Sequence, residues 1–146
     1  AFVGLLRLKM SEKGLYEREC EWLAWLQNRL FNLGAALSEA SGEWIDADDV
    51  RQIEQWIDTL EAETEQPKAF ILPYGSETIS LAHICRTVTR RLERRMMPIL
   101  QTEDDKMKVY AQLVNRLSDF WFVLSKKCAK TEKIELFLWK KVKKIA

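Results

Sequence analysis

The sequence predicts an all-α fold, a bundle of about five helices joined by short connections. Apolar residues recur at steps of three and four through four long segments and one shorter opening segment. Strand-like patterning is almost confined to Phe70 to Leu72, and no internal repeat or low-complexity stretch breaks the pattern. With 146 residues, 47% hydrophobic and 31% charged, the chain is expected to form one soluble domain. Its 23 lysines and arginines nearly balance 22 aspartates and glutamates, so there is no long-range pull towards nucleic acid or membrane. Any anion site must therefore be local. Cys20, Cys85 and Cys128 lack metal-ligand spacing and are odd in number, which suits unpaired thiols in a reducing, cytoplasmic setting. The opening AFVGLLRLKM is too short and too interrupted to span a bilayer, and it lacks the charged start and cleavage region of a signal peptide.

Phe2, Leu5 and Leu6 have helical spacing with no cap before them, so the first helix enters already under way. After Gly14, Leu23, Leu26, Leu30 and Leu33 form one seam flanked by Trp22. Gly34 is expected either to end that helix or to admit a close neighbour. Asp46 is a plausible N-cap for a third helix, with Asp48 and Asp49 in its first turn and Val50, Ile53, Ile57 and Leu60 as its seam. The acidic run from Glu61 to Gln66 reads as a solvated helix end and is assigned no chemistry.

The most informative stretch is Phe70 to Met97, a short apolar entry, a Pro-Tyr-Gly turn and an arginine-rich helix capped by Ser76. That helix has an apolar side, Leu81, Ile84, Cys85, Val88, Leu92 and Met96. A second stripe holds Ile79, His83, Arg86, Arg90, Glu93 and Met97. The stripe suits a solvated face with Arg90 and Glu93 paired at i, i+3, or a surface covered by another chain or a ligand. Met97-Pro98 stops the helix. Asp104 and Asp105 begin the next, whose seam is Met107, Tyr110, Val114, Leu117, Trp121 and Leu124, while Asn115, Asp119 and Phe122 face elsewhere. Ile134 to Trp139 is apolar, and Lys140, Lys141, Lys143 and Lys144 around Val142 and Ile145 form a basic end that is either solvated or able to meet an acidic partner or lipid.

These residues carry a resemblance. Phe70 to Gly75 followed by His83, Arg86, Thr87, Arg90, Arg91, Glu93 and Arg94 is similar to the signature of the PduO-type ATP:cob(I)alamin adenosyltransferases, a Phe-Ile-Leu-Pro-Gly-Gly turn and a helix of the form His-x-x-Arg-Thr-x-x-Arg-Arg-x-Glu-Arg. Asn115 to Asp119 matches the family's Asn-Arg-Leu-Ser-Asp block downstream. Weaker echoes lie in Ala1 to Leu6, Leu30 to Leu37 and Leu138-Trp139. The resemblance implies a ferritin-like five-helix bundle, a homotrimer with its site at the subunit interface, and transfer of the 5′-deoxyadenosyl group of ATP to the cobalt of reduced cob(I)alamin with release of triphosphate. In the family, a glycine-rich, Thr-containing phosphate loop and an Asp-Glu-Leu-Asn sequence precede the equivalent of AFVGLLR. The 146 residues are therefore expected to be one helical domain that lacks this upstream nucleotide-binding loop.

By the same resemblance, ATP with Mg²⁺ falls to Arg86, Arg90, Glu93, Arg94 and Asn115, and Arg86, Arg90 and Glu93 are the catalytic candidates. Arginine suits the task, because its permanently charged fork can bridge phosphate oxygens and stabilise charge on a leaving group. Arg86 is also implied to pair with the aspartate of the upstream Asp-Glu-Leu-Asn. Phe70 is implied to sit beneath the corrin and displace the lower axial ligand of cobalt; read from the residues alone, it plugs the end of the bundle. Tyr74 stands where the family has the first glycine of the turn, which bears on the corrinoid pocket, the turn or the choice of corrinoid. His83, a lone histidine, is assigned to packing or hydrogen bonding. Two other classes fit the same residues, a non-catalytic corrinoid- or nucleotide-binding relative and a helical interaction bundle that docks through its arginine stripe.

Overall fold

Side-chain caps set the start of three of the five helices. The structure, a computed structural model that describes residues 1–101 and 104–142, contains α1 (Phe2–Lys13), α2 (Glu17–Leu37), α3 (Ala47–Ala62), α4 (Glu77–Met96) and α5 (Asp105–Glu132), with a 3₁₀ turn at Ile99–Gln101. Asp46 and Asp49 form a reciprocal capping box at the start of α3. Ser76 accepts from the Ile79 N–H at the start of α4, and Asp104 accepts from the Lys106 N–H at the start of α5. Met97-Pro98 ends α4 as expected. Lys143, Lys144 and Ile145 of the basic end lie outside the described residues.

The helices close in the order α1, α2, α3, α5, α4. Helix α4 packs between α1 and α5, α5 between α4 and α3, and α1 also against α2. Between α2 and α3 the contact is aromatic, with Trp22 stacked on Trp56 at 5.0 Å and Trp25 edge-on to Trp56 at 5.1 Å. The expected seams are buried: Leu23, Leu26 and Leu33 of α2, Val50, Ile53, Ile57 and Leu60 of α3, and Tyr110, Val114, Leu117, Trp121 and Leu124 of α5. Among the described residues there is no strand, only an isolated antiparallel bridge between Ile71 and Leu138. No helix among them is long and apolar enough to cross a membrane.

Three expectations are corrected. Helix α2 runs past Gly34 to Leu37, and a Cβ placed on Gly34 would meet open space, so this glycine neither ends the helix nor admits a neighbour. Glu63, in the run read as a solvated helix end, pairs with Arg18 at 2.8 Å and Lys127 at 2.9 Å and so ties α3 to α2 and α5. On α4 the buried sector is rotated towards the second stripe. Thr78, Ile79, Ala82 and His83 are buried with Leu81, Cys85 and Met96, whereas Ile84 is 37% exposed. A helix held between two neighbours is covered over a wider arc than its apolar residues span, and α5 covers the part nearer the polar stripe. In α1, likewise, Val3, Leu6 and Met10 are buried while Phe2 and Leu5 face outward.

Two outcomes follow for stability. Trp56→Ala should cost about 3–5 kcal/mol in chemical denaturation, since Trp56 touches Trp22, Trp25 and Phe120. The hydrogen bond from Arg18, working against burial and assisted by Lys127, holds the Glu63 carboxyl down at about 2. A depressed folded-state value stabilises above the unfolded value of about 4.3 and ceases to do so as the pH falls through the folded one. The stability gap between wild type and Glu63→Gln should therefore be complete at neutral pH, narrow below about pH 4.3 and close near pH 2.

Candidate functional site

Helices α4 and α5 touch in opposite chain directions, Thr78 with Glu132, Thr89 with Trp121 and Glu93 with Asn115. Beside the buried seam, their polar stripes face one another and make a connected chain of side chains. Arg90 Nη1 donates to Glu93 Oε2 at 3.2 Å, Asn115 Nδ2 donates to Glu93 Oε1 at 2.7 Å, and Arg116 Nη2 donates to Asn115 Oδ1 at 2.7 Å and Asp119 Oδ2 at 2.6 Å. Glu93 thus fixes the amide of Asn115 and one side of the Arg90 guanidinium, which remains half-exposed. Arg94 is exposed. Next to Glu93 and Asn115 opens a cleft of about 590 Å³ with Met96, Met97, Leu100 and Val114 among its walls, a small-molecule size with an apolar lining and a few convergent polar groups.

One turn back along α4, Arg86 lies over the ring of Phe122 at 4.7 Å and donates to the Ser118 carbonyl at 3.4 Å. Burial lowers the pKa of its guanidinium, which marks a desolvated cation. Lys126, itself buried, stands 5.6 Å from the same ring. His83 is 8% exposed, and burial followed by the charge of Arg86 lowers its pKa, so it is held neutral. Its Nε2 and the Ser118 hydroxyl are buried without a hydrogen-bond partner. Neither reading of the stripe, a solvated face or a surface covered by another chain or a ligand, holds at its start. Ile79 and His83 are already covered within the chain, and Arg90 and Met97 are the members left open.

At the other end of α4 is an aromatic corner. The Leu72 N–H donates to the Phe137 carbonyl at 2.7 Å and the Trp139 N–H to the Phe70 carbonyl at 2.6 Å, so Phe70–Leu72 lies along Phe137–Trp139. Alternation in this extended pair sends Phe137 and Trp139 outward and Leu136 and Leu138 inward. Phe70 meets Trp139 edge-on at 6.4 Å, and Tyr74 meets Phe137 at 4.8 Å. Phe70 is 80% exposed and Tyr74 63%, which removes the reading of Phe70 as a plug for the end of the bundle. Phe70, Tyr74, Phe137 and Trp139 thus form one exposed aromatic patch. Gly75 holds the turn at φ 150°, where a Cβ would come 2.7 Å from Ile79 Cδ1.

The groups sort into two places. Arg86, Arg90, Glu93 and Asn115 share one groove, while Phe70 and Tyr74 lie before the first turn of α4, roughly 20 Å along the helix from Arg90 at 1.5 Å per residue. Sequence reasoning missed Trp139 and Phe137 as partners of Phe70 and Tyr74, although their period-two alternation was a signal. It also missed Lys126 on the Phe122 ring, although their i, i+4 spacing on α5 was a signal.

A family model for cobalamin adenosyltransferase matches residues 1–128. The chain is 36% identical over 129 residues to a corrinoid adenosyltransferase of Bacillus subtilis, covering 86% of this chain and 66% of that protein. It is 38% identical over 139 residues to the corrinoid adenosyltransferase MMAB of Bos taurus, covering 89% and 56%. The chain thus spans between about half and two thirds of these relatives. Its fold superposes on an arginine-to-lysine variant of a PduO-type ATP:co(I)rrinoid adenosyltransferase from Lactobacillus reuteri, complexed with ATP, with a TM-score of 0.79 at 25% identity over 95% of this chain and 79% of that one. A phenylalanine-to-alanine variant of the PduO-type enzyme from that organism, complexed with cobalamin and ATP, gives a TM-score of 0.77 at 23% identity over 96% and 79%.

A cation kept desolvated beside a ring and a single carbonyl contributes little to folding. Arg86→Met, which fills the same space without charge, should leave the thermal unfolding midpoint equal to or above that of the wild type, a gain of up to about 1 kcal/mol. A clear loss of stability would show that the guanidinium anchors the α4–α5 contact.

Proposed function

Because the chain belongs to the cobalamin adenosyltransferase family, we propose that it transfers the 5′-deoxyadenosyl group of ATP to the cobalt of reduced cob(I)alamin, releasing triphosphate. The cobalt electron pair forms the bond to C5′ while the C5′–O bond breaks and its electrons leave on the triphosphate. The observation that carries this reading is the prearranged Arg90–Glu93–Asn115 chain in the α4–α5 groove beside a nucleotide-sized cleft. A guanidinium already oriented by Glu93 meets charge growing on the leaving phosphate without reorganising in the transition state. Arg94, exposed one residue on, and Arg86, desolvated below, extend the same positive edge. Asn115 offers both an amide donor and acceptor to the nucleoside. Among the described residues no cluster of acidic, His or Cys side chains is placed to ligate a metal. Mg²⁺ arrives on the ATP phosphates, which suits an ion that seldom occupies an all-protein cage.

The aromatic corner takes the corrinoid. Phe70, supported by Trp139, presents an exposed apolar face able to lie under the macrocycle and keep a lower axial ligand away from the metal. Loss of that donor makes the low oxidation state easier to reach, so the protein tunes a reaction whose chemistry resides in the corrinoid. Tyr74 leaves the turn towards Phe137 with ordinary backbone geometry, since Glu39 and Lys133 are the described non-glycine residues with positive φ. It borders the surface without distorting it. Within one chain the corner and the Arg90 groove stand too far apart to share a substrate. A homotrimer in which one copy's corner faces its neighbour's groove joins them, with exposed Arg90 and Met97 at the contact. The three unpaired thiols suit a cytoplasmic protein.

Arg90→Ala in the full-length protein should reduce adenosylcobalamin formation from reduced cobalamin and Mg·ATP by roughly 10²–10³, while stability changes by less than about 0.5 kcal/mol. Arg91→Ala, exposed on another side of α4, should retain wild-type activity; equal activity of both variants would remove Arg90 from the site. Phe70→Ala should keep ATP affinity and the fold but lose the absorption and magnetic signature of four-coordinate cob(II)alamin, and an unchanged spectrum would take Phe70 out of the corrinoid site. Light scattering should give a trimer, and a monomer at micromolar concentration would overturn the shared site.

A further inference from the structure

The last residue of α5, Glu132, has a side chain only 6% exposed, and donors from three other parts of the chain converge on it. Lys13 Nζ approaches at 2.9 Å from the end of α1, the Tyr16 hydroxyl donates from just before α2, and the Thr78 hydroxyl donates from the first turn of α4. Thr78 Oγ1 lies 2.9 Å from Oγ of Ser76, the N-cap of α4. Tyr16 is 1% exposed and Thr78 fully buried, so this is an interior cluster. Burial pushes the Glu132 carboxyl up, but the hydrogen bonds from Thr78, Tyr16, Lys13 and Ser76 together hold it below the ordinary carboxylate range. It is charged at neutral pH, with its acceptor capacity used from several directions.

The chain leaves this carboxylate towards the aromatic corner by two routes. Along one, Ser76 and Thr78 fix the first turn of α4, and the chain before them passes through Gly75 and Tyr74 to Phe70. Along the other, Lys133 adopts φ 56° and turns the chain out of α5, so that Ile134 to Trp139 runs back to pair with Phe70–Leu72. Ile134 also lies against Gly75. Both segments of the corner are rooted on one side chain.

We propose that Glu132 is a positioning residue for the corrinoid: by tying the first turn of α4 to the last turn of α5, it sets the register of Phe70–Leu72 against Phe137–Trp139 and hence the placement of the aromatic corner. The corrinoid half rests on the functional reading above. The Arg90–Glu93–Asn115 chain lies at the far end of the same two helices and does not feel the clasp directly, so the two substrates respond differently when it is loosened.

The test uses the full-length protein and two variants that keep side-chain shape. Thr78→Val removes the hydroxyl between Ser76 and Glu132, and Glu132→Gln removes the charge opposite Lys13. Amide hydrogen exchange at Leu72 and Trp139 should accelerate about tenfold, while mid-α5 amides such as Leu117 hold; loss of one hydrogen bond to a charged group is of that order. The KM for the corrinoid should rise about three- to tenfold with the KM for ATP unchanged. Unchanged exchange at Leu72 and Trp139, a uniform acceleration across the fold, or equal rises in both KM values would overturn the proposal. A wild-type protein that shows this exchange contrast with its variants but forms no adenosylated corrinoid would overturn the functional reading and the corrinoid half, with the clasp's control of the corner standing.

Discussion

The constraint on which the structure depends is angular. An α-helix places successive side chains about 100° apart, so a helix gripped by two neighbours must divide its circumference between packing and anything else it does. Helix α4 lies between α1 and α5, and α5 between α4 and α3. Their shared contact therefore has to carry the apolar seam and, immediately beside it, the polar groove. The groove is rigid because the seam is. Glu93, Asn115 and Arg86 project from backbone whose neighbours Met96, Val114 and Leu117 are almost fully buried, and a side chain on such a base loses little freedom when a ligand arrives.

Charge in this chain is arranged by position and hardly at all by total. Glu63 and Glu132 each close one corner of the bundle with cations from other helices, whereas Arg86 has a ring and a carbonyl for partners. The first two arrangements hold helices together. The third keeps a positive charge in a half-dry place, with Asp119 and Glu93 acting on it from a distance, and contributes little to folding. A near-neutral protein thus gathers arginines along one helix, α4.

Local signals were legible where one residue decides them. Asp46, Ser76 and Asp104 cap α3, α4 and α5 because a short polar side chain before an apolar period leaves few alternatives, and the spacing of Arg90 and Glu93 gave their pairing. Facing was harder. Nothing in the apolar pattern of α4 says that His83 is covered and Ile84 left outside, because that is settled by where other parts of the chain lie. Gly34 misled because a glycine without a side chain looks alike whether a neighbour is close or absent. The Glu132 cluster was invisible for a related reason: Lys13, Tyr16, Thr78 and Glu132 belong to four separate segments, and each alone is an unremarkable polar residue. From the residues alone Phe70 read as a plug for the bundle, because hydrophobicity does not say whether the chain covers a residue or leaves it exposed.

Gly75 and Tyr74 are neighbours in one turn, yet they answer to different masters. At position 75 a methyl group would collide with Ile79, itself buried under the first turn of α4, so that site is closed to variation by the fold. Tyr74 has its backbone in an ordinary region and its ring on the outside against Phe137, so its replacement disturbs no interior packing. The turn therefore separates what heredity must keep from what it is free to try: a lineage can alter the rim of the aromatic corner through residue 74 without first repairing its fold.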